Sequence, residues 1–379
     1  MNGRAVDPRI VDGIERACGR ATSADELFET LSHEVAKAVP FDSSMWFGVD
    51  PATLLAVAPA RIEAMDDGYC QAFWQAEFHE HDAGLFRDLA RQVLPAAALR
   101  ASTDDKPLRG ARYRTFIQPE GYDDELRAAF RTGESTWAVA GLYREKGRPP
   151  FNAHEVALLG ALSAVVALAV RARAATGPGA PVLFGAPGLM LFDADGVLMS
   201  ANSEATRWLG EIFGPTGDGA SWLDVLADPR ENIGSAVPIM PLLARARAIA
   251  AGRDGGEARL RLRDRSGRWL VLHASCLDGR GVEGTVAVVV EPAKSTEIAP
   301  IIIEAYGLSP RERDVVRAIA RGASTPDIAA ELFLSGHTVR DYIKSVFEKV
   351  GVGSRGELVA KLFAEHYSDP MHAAMVHLH

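Results

Sequence analysis

Polar side chains near the carboxyl end of the chain have the types and spacing needed to read DNA bases. They lie on one arc of the helical wheel of residues 335–350: Arg340, Asp341, Lys344, Ser345 and Glu348. Arg and Lys donate hydrogen bonds to guanine O6 and N7, and Asp accepts one from cytosine N4. The opposite side of the wheel is apolar. The pattern therefore predicts a helix that packs on one side and presents this arc outward.

Four helix-start signals surround this helix and must position it. In each of them a Ser is followed three residues later by a residue that can complete a cap: Ser309 and Glu312, Ser324 and Asp327, Ser335 and Thr338, Ser354 and Glu357. Pro310 stands at a first helical position, and Gly322 and Gly351 stand where helices should end. The sequence predicts four short helices joined by tight turns.

On these residues the segment 308–356 resembles the LuxR-type (NarL/FixJ) helix-turn-helix. The similarity runs through four patterns: Leu-Ser-x-Arg-Glu at 308–312, Gly-x-Ser-x-x-Asp-Ile-Ala at 322–329, Ser-x-x-Thr-Val at 335–339 and Lys-Val-x-Val-x-Ser-Arg at 349–355. The resemblance implies an all-α, four-helix domain at 301–367 that binds double-stranded DNA in transcription regulators.

The resemblance also implies roles for individual residues. Base reading falls on Arg340, Asp341 and Lys344. Phosphate contacts fall on hydroxyl and basic residues: Thr325, Ser335, Thr338 and Lys349. Two positions depart from the family pattern, since Tyr342 stands where His is commonest and Pro326 replaces a usual Lys or Asn. The operator sequence therefore stays open.

The charge balance favours DNA binding by two copies. Residues 308–367 hold nine Lys and Arg against eight Asp and Glu, and the whole chain carries a net charge of -9, so counterion-driven attraction to DNA is weak. The last predicted helix has an apolar stripe: Leu358, Val359, Leu362 and Phe363. In the LuxR-type family this helix pairs with its twin, which implies a homodimer on two half-sites. The alternative is that the stripe packs inside its own domain.

The composition places limits on the rest of the chain. Its 379 residues are 47% hydrophobic and 24% charged, which suits several folded domains. The three cysteines are far apart, so neither disulfides nor a metal site are predicted. The amino terminus has no signal pattern, and the longest apolar run, 156–170, is short for a bilayer. We expect a cytoplasmic protein without membrane contact and a disordered tail at 368–379.

Two segments indicate linkers: 171–182, which is rich in Gly, Pro and Ala, and 291–300, which precedes the DNA-binding segment. They divide the chain into three predicted domains at 1–175, 182–292 and 301–367. The first two mix helices with antiparallel strands and are α+β in class, and the third is all-α. The fold predicted for the chain is therefore multidomain.

The middle domain begins with a strand, a turn at Gly196 and a second strand. A helix capped by Asn202 is expected to follow and to end at Gly210. A later hairpin is centred on Gly267, and a further strand leads to the end of the domain. Through Asp193, Gly196 and Asn202 this region resembles a PAS domain, which implies a sheet wrapped by helices around a small cavity.

The first domain is predicted to contain two helices and two strands, at 10–18, 24–39, 43–49 and 135–145. A capping box at Asn152 and Glu155 opens a further apolar helix. The domain resembles a GAF domain, which implies a ligand cavity. Aromatic residues are the candidates to line it, with plain core packing as the alternative: Trp46, Phe73, Trp74, Phe78, Trp137 and Tyr143.

Enzyme activity is not predicted, because no P-loop, HExxH or GxSxG pattern occurs. Gly279, Gly281 and Gly284 form a GxGxxG, but a β-rich run follows where a dinucleotide site needs a helix. We expect a ligand- or partner-responsive transcription regulator, with an unidentified small molecule in the GAF-like or PAS-like domain and RNA polymerase as a candidate partner. The alternative is an adaptor that contacts the transcription machinery without reading bases.

Overall fold

The computed structural model describes residues 6–65, 70–80, 82–175, 186–216, 219, 221–227, 238–359 and 361. The chain forms two compact units. Their bounds are Met1–Arg173, Gly185–Arg265 and Leu270–Glu291 for the first, and Ala174–Phe184, Ser266–Trp269 and Pro292–His379 for the second. The first unit contains two antiparallel sheets with their helices. The tail predicted at 368–379 lies outside the described residues.

The first sheet has five strands: β1 (Ser43–Val49), β2 (Ala56–Glu63), β3 (Ala96–Ala98), β4 (Tyr122–Thr132) and β5 (Ser135–Glu145). They pair antiparallel in the order β2-β1-β5-β4-β3. Among the described residues this part of the chain has a 3-10 helix at Pro107–Arg109, a π-helix at Tyr113–Ile117 and seven α-helices: α1 (Pro8–Arg20), α2 (Ala24–Ala38), α3 (Cys70–His79), α4 (Phe86–Leu89), α5 (Leu99–Ser102), α6 (Ala153–Ala161) and α7 (Ser163–Ala175).

The elements predicted in this region are confirmed. The two helices and two strands occur within two residues of the predicted bounds. The capping box is also present, because Asn152 Oδ1 accepts from the backbone N–H of Glu155 and the Glu155 carboxylate accepts from that of Asn152 at 2.8 Å. The apolar helix that follows is interrupted at Leu162 and continues as α7.

Charged side chains are buried against one face of the first sheet and form what we call the buried charge cluster. Its members are at most 3% exposed: Glu77, Arg112, Glu125 and Arg127. Arg112 and Arg127 each donate through Nε to one oxygen of Glu125, at 2.8 Å. Burial alone would raise the pKa of Glu125, but the two guanidiniums outweigh it and hold this pKa below its usual value.

The second sheet has five further strands: β6 (Gly188–Phe192), β7 (Leu198–Ala201), β8 (Arg259–Arg263), β9 (Trp269–Cys276) and β10 (Val286–Pro292). Their order is β7-β6-β10-β9-β8. The described part of the stretch between β7 and β8 forms three helices: α8 (Ser203–Phe213), α9 (Trp222–Ala227) and α10 (Ile239–Ala250). The predicted turns at Gly196 and Gly267 both have positive φ, as short hairpins require.

In the middle region one predicted helix end is wrong and one predicted turn is confirmed. The helix capped by Asn202 does not end at Gly210, because α8 continues to Phe213 and ends at Gly214, which has φ +83°. Packing of Ile212 and Phe213 against the core offsets the cost of a glycine inside the helix. The three glycines of the GxGxxG all have positive φ and lead into β10, so they form a turn, as predicted.

The two sheet-containing regions contact each other inside the first unit. The end of α3 meets α10, where His79 Nε2 lies 2.9 Å from the carbonyl oxygen of Ala244. Arg261 on β8 donates its backbone N–H to Asp50 at 2.8 Å and its guanidinium to the same carboxylate at 3.2 Å. Asp50 is 1% exposed, and its burial raises its pKa. These contacts couple the two regions mechanically.

The second unit contains five helices among its described residues: α11 (Ser295–Ala305), α12 (Pro310–Ala320), α13 (Thr325–Leu332), α14 (Gly336–Val350) and α15 (Arg355–Val359). The predicted linker at 291–300 is wrong from Ser295 onward. Glu297 caps the start of α11 by accepting from the backbone N–H of Lys294 at 2.7 Å, and Ile298 and Ile301 are buried. This burial stabilises a helix that passes through Pro300, a residue that the sequence pattern assigns to a linker.

One stretch, Ala153–Ala174, is long and apolar enough to cross a membrane, and half of it is buried inside the protein. At 22 residues it extends beyond the apolar run at 156–170. Leu158, Leu162 and Val166 are at most 2% exposed. Core packing therefore accounts for the apolar character of this stretch.

We predict that Glu125→Gln lowers the free energy of unfolding by about 3–5 kcal/mol, because it leaves two buried guanidiniums without their shared anion. Urea unfolding followed by tryptophan fluorescence measures the change. Glu145→Gln, at an exposed position on β5, is the control and should change stability by less than about 0.5 kcal/mol. Equal stabilities of the two variants would contradict a structural role for the charge cluster.

Candidate nucleic-acid interface

The residues predicted to read bases lie on α14 and are open to solvent. Arg340, Asp341 and Lys344 are all exposed, and the Lys344 side chain is 80% exposed. Two loose contacts engage these side chains among the described residues: His337 Nε2 lies 3.7 Å from the Asp341 carboxylate, and Lys344 Nζ lies 4.0 Å from the Glu348 carboxylate. Pairs of this kind contribute little in water. DNA can therefore replace them at small cost.

The opposite side of α14 anchors the helix. Val339, Val346 and Val350 are at most 2% exposed, and α14 packs against α12 and α13. Ile343 and Phe347 are half-buried at the border of this side. The apolar half of the predicted wheel is thereby confirmed, and its burial directs the polar arc outward.

Local caps fix where each helix begins. Reciprocal capping boxes open α12 and α13, as predicted. At α14, Ser335 Oγ accepts from the backbone N–H of Thr338 at 3.1 Å and lies 2.8 Å from the Thr338 hydroxyl. Ser354 caps α15 in the same way, and Gly351 ends α14 with φ +70°. These caps place the predicted phosphate-contacting residues Ser335 and Thr338 at the amino end of α14.

A buried carboxylate ties α12 to α14, and we call this arrangement the Glu312 clamp. Glu312 is 4% exposed. Its Oε2 accepts from the backbone N–H of Ser309 at 2.6 Å and from Lys349 Nζ at 2.7 Å, and its Oε1 accepts from the Ser345 hydroxyl at 2.6 Å. Burial alone would raise the pKa of Glu312, but the hydrogen bonds from Lys349 and Ser345 outweigh it and lower this pKa to about 2.

The clamp alters the expected roles of two residues. The helical wheel places Ser345 on the outward arc, but its hydroxyl is directed to Glu312, so this placement is wrong. Lys349, predicted to contact phosphate, has a side chain that is 40% exposed and donates to both oxygens of Glu312. Its ammonium group holds α14 in place. The wheel could not reveal this, because the partner is 37 residues away in sequence.

A second link joins α15 to the start of α13. Arg355 donates to the carbonyl oxygen of Ala323 at 2.7 Å and to the hydroxyl of Thr325 at 2.8 Å. A hydroxyl has one donor and two acceptor sites, so Thr325 keeps its O–H to donate. Arg355 therefore orients Thr325 for the phosphate contact that the sequence predicts.

The predicted pairing stripe is only partly described. Leu358 is 1% exposed and Val359 is half-buried, while Leu362 and Phe363 lie outside the described residues. Leu358 is thus buried inside its own unit, as in the alternative stated for the stripe.

The six aromatic pocket candidates are at most 6% exposed and lie on both faces of the first sheet. Trp46 stacks on Phe130 at 6.0 Å between ring centroids, while its neighbour Phe47 contacts Trp74 of α3 at 5.5 Å. Adjacent residues of a strand point to opposite faces. Trp46 therefore cannot share a cavity with Phe73 and Trp74. A pocket role stays a prediction for the residues on the α3 side.

We predict that Glu312→Gln weakens the anchoring of α14 by about 1–3 kcal/mol, because it removes charged hydrogen bonds to Lys349 and Ser345. Hydrogen exchange followed by mass spectrometry on the full chain measures this as faster exchange of the α14 amides. Glu348→Gln, on the exposed side of the same helix, is the matched control. Unchanged exchange in Glu312→Gln would disprove the clamp.

The clamp should also respond to pH. The pKa of Glu312 falls from its usual 4.5 to about 2 on folding, so the stabilisation is complete above 4.5 and is lost as pH falls toward 2. After correction for intrinsic exchange rates, α14 of the wild-type chain should keep its protection from pH 7 down to about 4.5 and lose it as pH falls from there toward 2. Glu312→Gln should lose less, and an equal loss in both proteins would assign the effect to other groups.

Comparisons with known proteins agree with this geometry. Residues 307–362 match the model of the GerE family, described as bacterial regulatory proteins, luxR family. Over 55 residues the chain is 40% identical to the spore germination protein GerE of Bacillus subtilis (strain 168), which covers 14% of this chain and 74% of GerE. Over 76 residues it is 37% identical to the probable transcriptional regulatory protein NarL of Mycobacterium tuberculosis (strain CDC 1551 / Oshkosh), which covers 20% of this chain and 32% of NarL.

The chain thus spans about a third of its NarL relative. Among solved structures, the LBD domain of VqsR from Pseudomonas aeruginosa aligns with 44% of this chain and 94% of that domain, at 15% identity and a TM-score of 0.31, which is too low to establish a common fold. The carboxyl-terminal match is stronger, since it has 40% identity over 74% of GerE and contains the clamped helix and its caps. On this ground the chain belongs to the luxR family of bacterial regulatory proteins, and its carboxyl-terminal helices form a LuxR-type DNA-binding domain.

Proposed function

We propose that this protein is a cytoplasmic, homodimeric transcription regulator that reads a two-half-site operator with α14 and responds to a small ligand or a partner. The observation that carries the proposal is the exposed arc of Arg340, Asp341 and Lys344 on a helix whose other side is buried and clamped by Glu312. A rigid helix that presents two cations and one acceptor suits the major groove.

The charge of the domain supports binding as a pair. Nine cations against eight anions in residues 308–367 provide little counterion-driven affinity. Lys349 and Arg355 contribute even less, because both already bind groups of their own unit. Specific base contacts in two copies compensate for this weakness, and the segment from Val359 to Phe363, which follows the buried Leu358, is the proposed pairing region.

The two sheet-containing regions are the proposed GAF-like and PAS-like sensory domains. Each has a five-stranded antiparallel sheet with helices, and α3 of the first contacts α10 of the second. Asp50 and Arg261 join the same two regions by a buried ion pair. A ligand that binds one arrangement of these regions more tightly shifts the population toward it, and this shift reaches operator affinity.

A second candidate function is favoured by Phe333. This residue ends α13 in the left-handed conformation with φ 56° and is 94% exposed. A large apolar side chain at the turn before α14 is suited to contact a protein. In this adaptor function the domain would bind the transcription machinery, with RNA polymerase as the candidate partner, and would not depend on base contacts.

We predict that Arg340→Ala and Lys344→Ala each weaken binding to an operator selected from random DNA by about 1–3 kcal/mol and reduce discrimination between bases. Fluorescence anisotropy at fixed salt measures both effects. Arg317→Ala, an equally charged change at a 65% exposed position of α12, is the control. If both variants bind and regulate as the control does, while Phe333→Ser loses regulation, the adaptor function is correct.

We predict that the affinity of the full chain for its operator changes about fivefold or more when a small-molecule extract is added from cells that naturally contain the protein. A fragment of residues 292–379, which keeps α11 intact, should bind the operator without this response. The same anisotropy assay compares the two proteins. Identical behaviour of the fragment and the full chain would remove the sensory function and leave only DNA binding.

A further inference from the structure

The buried charge cluster is built from side chains of α3, of β4 and of the segment between β3 and β4. Arg112 and Arg127 share the carboxylate of Glu125, and Arg127 also donates through Nη1 to Glu77 at 2.6 Å. Two cations and two anions leave the cluster without formal net charge. Burial of four charged groups is costly, and a set of this kind is kept in a domain core only where its hydrogen bonds are completed.

Those hydrogen bonds are incomplete within the described residues. Arg112 Nη1, Arg127 Nη2 and Trp74 Nε1 are buried and have no hydrogen-bond partner there. Trp74 lies on α3, one turn before the Glu77 that binds Arg127. All three orphan groups are N–H donors, and buried donors are almost always paired in native proteins. A group that completes these hydrogen bonds has to supply acceptor atoms.

The surroundings of these donors are aromatic. The guanidinium of Arg127 lies 4.2 Å from the ring centroid of Phe86 and 5.0 Å from that of Phe73. Phe73 in turn meets Trp74 edge to face at 4.8 Å and Phe116 at 5.5 Å. Flat apolar walls around a few fixed donors are typical of sites for small ring compounds.

A cleft of about 500 Å³ lies next to the cluster. It is lined in part by Asp82, Ala83 and Gly110. The carbonyl oxygen of Ala83 accepts from Arg112 Nη2 at 3.0 Å, and the Asp82 carboxylate accepts from the backbone N–H of Arg112 at 2.8 Å. Ala83 thus lines the cleft and also binds the Arg112 guanidinium through its carbonyl oxygen.

We infer that the buried charge cluster binds a neutral, flat small molecule that offers a carbonyl-type acceptor to Arg112, Arg127 and Trp74. An anion would add an unbalanced charge to a neutral buried cluster, and a cation would bring no acceptor. A cyclic amide fits both the donors and the aromatic walls. The inference rests on the proposed sensory function and specifies the ligand class for its first domain.

The location of the site also connects a bound ligand with the second sheet-containing region. Trp74 and Glu77 lie on α3, and the same helix ends at His79, which contacts Ala244 of α10. Arg253, which follows α10, donates to the carbonyl oxygen of His79 at 3.0 Å. A ligand bound to Trp74 therefore acts on a helix that is already attached to the neighbouring domain.

Three probes of similar size test the inference on the full chain by ligand-observed NMR titration: 2-pyridone, benzoate and toluene. We expect 2-pyridone to bind saturably and roughly tenfold more tightly than either of the others, since it alone is neutral and has a carbonyl acceptor. Trp74→Phe, which keeps the ring and removes the N–H, and Arg112→Lys, which keeps the charge, should each weaken 2-pyridone binding about fivefold.

Trp46→Phe is the matched control, because Trp46 lies on the opposite face of the sheet and its N–H is bound to Ser44 Oγ. Binding of benzoate or toluene as tight as that of 2-pyridone, no binding of any probe, or unchanged binding in Trp74→Phe overturns the inference. Operator binding is measured on the same samples. If the wild-type chain binds its operator but no probe behaves as expected, this ligand site alone is refuted. If the wild-type chain shows no preference for any operator sequence, the proposed function itself is refuted.

Discussion

The DNA-binding domain depends on one buried carboxylate. Glu312 accepts hydrogen bonds from the start of its own helix and from two side chains of α14, so the cap of one helix and the orientation of another rest on the same group. An ionised carboxylate in this position is stable because each of its oxygens receives donors. The exposed arc on α14 keeps its direction through this anchor and through the buried valines beneath it.

The charge cluster of the first domain has the opposite character. Glu125 is fully engaged by two guanidiniums, yet one nitrogen of each guanidinium has no partner within the described residues. A completed network such as the Glu312 clamp makes a structure rigid. An incomplete network leaves buried donors to which a ligand can still bind, which is the property that the proposed sensory site needs.

A buried ion pair also joins the two sheet-containing regions. Asp50 is buried and its pKa is raised by that burial, while Arg261 supplies both a backbone N–H and a guanidinium to it. Breaking this pair would leave a buried charge unpaired, which costs more than the pair itself contributes. The ion pair and the contact of α3 with α10 therefore stabilise the arrangement of the two sheet regions seen in this structure.

The sequence alone determined the features that depend on neighbours a few residues away. Helix starts at Ser309, Ser324 and Ser335 were predictable because a cap joins residues three positions apart, and the outward placement of Arg340 and Lys344 followed from helical periodicity. Family resemblance added the DNA-binding function of this segment. The local pattern also predicted the turn at the GxGxxG, because the residues that follow it are typical of a strand and form β10.

Only the tertiary structure decided which distant groups meet. It directed Ser345 inward and bound Lys349 to Glu312, 37 residues away, and it brought Arg112 and Arg127 to one carboxylate. It also formed α11 through Pro300, because burial of Ile298 and Ile301 outweighs a local preference against helix. The physical reason is the same in each case: desolvation and packing act between segments, and their free energies exceed the local propensities that a sequence pattern records.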